Sequence, residues 1–178
     1  MIVEPGDIWA GMGRGLPAWL IGEFTGPVSH LGIFTECLCD SPPCLDPEHW
    51  LVTQALGAGI ETLTLAETMA TARYGYVLHC TDISAADRAE MVRYALTFVG
   101  TAYADANLFW EGVSAITGDE KWAILMADDG RDICSEFVSV DYIHIGMSCE
   151  ISPRKATPTD WFNFSLAQPN WLTQPLAA

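Results

Sequence analysis

A chain of 178 residues, half of them apolar, is long enough to bury a hydrophobic core without a metal or a disulfide framework. Its 23 acidic residues against 8 basic ones leave a formal charge of -15, which repels nucleic acid and anionic membrane surfaces and excludes a phosphate backbone as partner. No run approaches the roughly 18 apolar residues of a membrane span, and the first residues carry no basic stretch followed by an apolar one. A soluble, cytoplasmic protein with reduced thiols and no integral membrane segment is the expectation, although a virus-encoded or otherwise delivered protein carries the same signature.

In chain order, residues 6–10 read as a first strand and 16–24 as a short helix with Pro17 in its first turn. Strands are expected over 29–34, 50–56 and 60–65, with Gly57-Ala58-Gly59 turning between the last two. A short helix over 64–72 and a strand over 75–80 follow. The clearest helix spans 85–99, opened by Ser84 with Asp87 as a capping-box variant, stopped by Gly100, and striped by Met91, Val92, Ala95, Leu96 and Val99. A second helix begins near Cys134, runs to Ile143 and ends at Gly146. No linker, repeat or low-complexity tract divides the chain, so residues 1–178 form one domain with a cysteine-containing loop at 36–49. The connection at 104–132 is long enough to hold a helical cover over a site.

Two segments carry chemistry. Val28-Ser29-His30-Leu31-Gly32-Ile33-Phe34 reads as a buried strand with one histidine, and Asp132-Ile133-Cys134-Ser135-Glu136-Phe137-Val138 as a cysteine at a helix start. A helix N-terminus and a neighbouring histidine both favour the thiolate, the form that attacks carbonyls. A polar residue on the adjacent strand would fix the imidazole's tautomer, and Gln54 is placed for that. Taken singly, a buried cysteine and a strand histidine are more often packing residues, so the weight rests on the pair.

These pieces, with Gly6-Asp7-Ile8, Gly100-Thr101-Ala102-Tyr103 and Thr157-Pro158-Thr159-Asp160, resemble the circularly permuted branch of the NlpC-like papain-fold cysteine hydrolases, including the YiiX-like proteins. In that branch histidine precedes cysteine, as here. The resemblance spans roughly residues 4–162. It implies an α+β permuted papain-like fold, an antiparallel sheet or partial barrel packed against helices. It also implies Cys134 as nucleophile, His30 as base, Tyr103 near the nucleophile as an aid to the oxyanion, and Gln54 at the third position, where glutamine can orient a ring but offers no charge. The implied reaction is cysteine peptidase or amidase chemistry through an acyl-enzyme, on a peptide or acyl substrate such as a cell-wall peptide. Acyl-ester or lipid hydrolysis or acyl transfer in the same fold, and a catalytically inactive binding module, are the alternatives.

Other clusters have competing readings. Cys37, Cys39 and Cys44, followed by His49, could hold zinc tetrahedrally, but their spacing is not that of a standard knuckle and two prolines restrict the loop. Unligated thiols are the leading reading, with a disulfide from Cys37 or Cys39 to Cys44 as another, and no cofactor is expected. Gly11-Met12-Gly13-Arg14-Gly15 lacks the ending of a phosphate loop and reads as a flexible active-site rim. Trp9, Trp19, Phe24, Phe109, Trp110 and Trp122 line a cleft or fill the core, Glu136 is structural or substrate-facing, and His79, His144, Cys80 and Cys149 read as structural. Oligomeric state has no signal in the sequence.

Overall fold

The computed structural model describes residues 2–14, 26–39, 44, 46–56, 59–101, 133–147, 151 and 156–176. Its β-rich runs pair as neighbours: β1 (Ile8–Gly13), β2 (His30–Cys37), β3 (Trp50–Leu56), β4 (Gly59–Thr64), β5 (Ala72–Cys80) and β6 (Trp171–Pro175). They form one open antiparallel sheet in the order β4-β3-β2-β1-β5-β6. Among the described residues the helices are α1 (Leu65–Ala70), α2 (Ala85–Leu96), α3 (Ile133–His144) and α4 (Pro158–Ala167). The fold is α+β, and no described helix is long and apolar enough to cross a membrane.

Side chains alternate along each strand, so the sheet feeds two cores. Ile8, Ala10, Leu31, Ile33, Ala55 and Leu78 point to one face, where Met91 and Ala95 of α2, Phe137 and Val138 of α3, and Trp161 of α4 cover them. Trp9, Phe34, Trp50, Val52 and Val77 point to the other, against Leu65 and Met69 of α1. The register keeps the two sets apart, with Ile8 opposite Ile33 and Trp9 opposite Gly32. Gly32 has no room for a side chain, because a Cβ there would stand 2.7 Å from Val52 Cγ1 and 3.0 Å from Gln54 Cβ.

The start of β1 is pinned by buried charge. The Asp7 carboxylate accepts from His79 Nδ1 at 2.9 Å and from Arg88 at 2.7 Å, tying β1 to β5 and α2. An unpaired carboxylate at full burial would cost several kcal/mol, and this ion pair with its added hydrogen bonds offsets that cost. His79 thus has a structural partner.

Several boundaries move from the sequence reading. β1 continues through Gly13, so the glycine segment is partly strand rather than loop. Gly11 lies opposite both His30 and Gly75, and a Cβ on it would overlap the Trp9 indole at 2.4 Å. α2 ends at Leu96, and its buried face is Arg88, Met91, Tyr94 and Ala95, with Phe98 beyond it. Leu96 and Val99, expected in the stripe, are exposed: Leu96 sits about 100° round the helix from buried Ala95, and Val99 lies in the turns beyond the helix end. Ser84 accepts from the Asp87 N–H as expected, while the Asp87 carboxylate takes the Ser84 hydroxyl at 2.6 Å instead of its backbone N–H. The helix expected over 16–24 and the cover expected over 104–132 lie outside the described residues.

Candidate active site

His30 is the first residue of β2, and Gln54 lies on β3 beside it, opposite Gly32. Their side chains emerge from the same face and meet, with His30 Nε2 2.9 Å from Gln54 Oε1. Gln54, 2% exposed, turns its NH2 to Thr68 Oγ1 of α1 at 2.9 Å. An amide oxygen only accepts, so this orientation puts the imidazole proton on Nε2 and leaves Nδ1 with the lone pair. The Trp9 ring packs edge-on against the imidazole at 5.7 Å between centroids. Burial pulls the His30 pKa down to about 4, more than the Gln54 hydrogen bond raises it, so the ring is neutral at pH 7.

Cys134 stands in the first turn of α3, 8% exposed and part of the core on the helix-covered face. α3 lies across β2 and β3, the two strands that carry His30 and Gln54. Ser135 Oγ donates to Ala156 O, just before α4, and Thr159 Oγ1 of α4 donates to Val28 O at 3.0 Å, two residues before His30. The sheet alternation sends His30 and Gln54 toward α1, while Cys134 lies in the core on the opposite face.

His30 and Gln54 are thus in direct contact, and Cys134 stands apart from them on α3, in the core of the other face. Tyr103 lies outside the described residues, as do Trp19, Phe24, Phe109, Trp110, Trp122 and Cys149. His144 stacks on Tyr94 at 3.7 Å and meets Glu90 at 2.7 Å, and Cys80 is buried in the core, in keeping with structural roles. Neither Thr68 nor the placement of Trp9 beside His30 stood out in the sequence. Thr68 reaches Gln54 because α1 folds back over β3, and Trp9 reaches His30 because β1 pairs with β2, and no local spacing encodes either.

The cysteine-containing loop is a second constellation. Sγ of Cys37 and Cys39 are 2.8 Å apart, and those two with Cys44 gather within 4.8 Å of one another. His49 Nδ1 lies 3.7 Å from Cys44 Sγ. The loop sits at the far end of β2 from His30, against the α1-side core.

No protein-family model and no curated protein matches the chain.

Proposed function

We propose that this chain is a cysteine hydrolase of the permuted papain-like type that cleaves an amide or peptide bond through a Cys134 thiolate and a His30 base. The observation that supports this reading most is the His30–Gln54–Thr68 hydrogen-bonded chain, which fixes one tautomer of a half-buried neutral imidazole. Cys134 Sγ attacks the carbonyl carbon, and its proton passes to His30 Nδ1. Nδ1 then protonates the leaving amine. A water that gives its proton to the same nitrogen attacks the thioester and releases the acid. The backbone N–H of Cys134, in the first turn of α3, is the proposed donor to the oxyanion. Gln54 acts on the ring's orientation and carries no charge, which makes it a weaker activator than a carboxylate would be.

One observation favours a second reading, a binding module that keeps the fold without the reaction. His30 and Gln54 point to the α1 face and Cys134 belongs to the other core, so a reactive pair must close around the start of β2.

The test is a panel of peptide amides, including cell-wall peptide fragments, and matched acyl esters, assayed with the original chain and with Cys134→Ser. Amide turnover abolished by the substitution supports the proposal, and turnover confined to esters moves it to the acyl-ester alternative. Failure of every substrate in a folded protein favours the binding module.

A further inference from the structure

We propose that Cys37, Cys39, Cys44 and His49 form a closed structural site for a zinc ion, three thiolates and one imidazole, that locks the loop between β2 and β3. Zinc with about 2.3 Å to sulfur and 2.0 Å to nitrogen has tetrahedral edges of about 3.8 Å between sulfurs and about 3.5 Å between sulfur and nitrogen. The Cys44 Sγ to His49 Nδ1 distance is 3.7 Å, and the three sulfurs lie within 4.8 Å of one another. Cys37 and Cys39 Sγ, at 2.8 Å, are far beyond a bond of about 2.05 Å and need to part by about 1 Å to become ligands.

The chain around these ligands is held before any ion arrives. Leu38 N donates to His49 O at 2.7 Å, and Cys37 pairs with Trp50 across the strands, closing the loop's base. The Trp50 indole N–H donates to Cys44 O at 3.0 Å, which carries Cys44 back toward Cys37. Glu48 N donates to Asp46 Oδ1, and Ala66 N at the start of α1 donates to Pro47 O. Cys37 and Cys44 also pack against the Trp9, Phe34 and Trp50 core. Two thiols two residues apart at the end of a strand share one face, which explains why Cys-x-Cys converges here.

The local charge fits a cation. Residues 36–50 contain no lysine or arginine and include Glu36, Asp40, Asp46 and Glu48. Reactive thiolates generally sit beside basic groups, and the only one this loop's sequence offers is His49, which the site uses as a ligand. Binding releases one proton from each cysteine to solvent and leaves the cluster with one net negative charge. Four protein ligands leave no open position, so the ion would serve stability and not catalysis.

The test uses the full chain, reduced and kept anaerobic. Zinc per chain is measured after purification without chelator, and the apoprotein is titrated with Co2+ followed by absorption. One zinc per chain is expected, with a thiolate-to-cobalt charge-transfer band and the intense ligand-field bands of a tetrahedral centre. Cys44→Ser should weaken cobalt binding at least tenfold, and His49→Ala should shift the ligand-field bands while keeping the thiolate band. Cys134→Ser should change neither. Loss of the spectrum in Cys134→Ser, no tetrahedral spectrum in the original chain, or a spectrum unchanged by Cys44→Ser would each overturn the site. Should Cys44→Ser fail to fold by circular dichroism, His49→Ala and the original chain still decide the matter. A disulfide within the loop that persists through anaerobic purification would also overturn it.

Discussion

At the residue scale, two titratable groups, one half-buried and one fully buried, push stability in opposite directions with pH. His30 has a folded pKa of about 4 against an ordinary value of 6.5, so between those values the unfolded chain takes up a proton that the folded one refuses. Stability contributed by neutral His30 is present above pH 6.5 and is lost as pH falls toward 4. Asp141 on α3 is fully buried, and neither carboxylate oxygen has a hydrogen-bond partner among the described residues. Burial raises its pKa well above 3.8, so its contribution is present below that value and is lost as pH rises toward the folded pKa. Denaturant titrations across pH should therefore show Asp141→Asn gaining relative to the original chain as pH rises above about 4, and a constant difference would contradict the protonated carboxyl. The same depressed pKa gives an activity prediction. If Nδ1 of His30 is the base, the acidic limb of the rate profile in the free enzyme should fall nearer pH 4 than 6.5, and a limb at 6.5 would show that another group controls it.

At the element scale, helix caps explain both what the sequence showed and what it hid. Ser84 before an apolar run announced α2, and its end was overextended only because Leu96 and Val99 are apolar yet exposed. α4 was equally legible and passed over. Thr157 with Asp160 forms a full capping box, with Thr157 Oγ1 accepting from Asp160 N at 3.2 Å and Asp160 Oδ2 accepting from Thr157 N at 2.8 Å, and Pro158 occupies the first turn. That cap anchors the helix whose Thr159 holds Val28, so it supports the start of β2. Thr157→Ala should cost about 1 kcal/mol in denaturant unfolding, and a cost near zero would mean that core packing alone sets the helix. β6 had a weaker signal, since a five-residue edge strand ending in Pro175 is defined mainly by its pairing with β5.

At the scale of the whole molecule, the sequence disclosed the residue types of the candidate site and the structure supplied their geometry. Gln54 was placed beside His30 by strand order alone, and the 2.9 Å contact realises that pairing. Which face each strand residue takes depends on register, a property of paired strands that one sequence does not display. The consequence is an imidazole held on the α1 side and a thiol carried by α3 in the core of the other face. The excess of acidic residues adds no counter-charge to a thiolate, so the activation proposed for Cys134 rests on His30 and the α3 N-terminus alone.

The most direct measurement is the pH dependence of iodoacetamide labelling at each cysteine, resolved by peptide mass spectrometry, in the original chain and in His30→Ala. The dyad predicts selective labelling of Cys134 below the ordinary thiol range of about 8.5, lost when His30 is removed. Labelling of Cys134 as slow as that of core Cys80, or unchanged by His30→Ala, would contradict it.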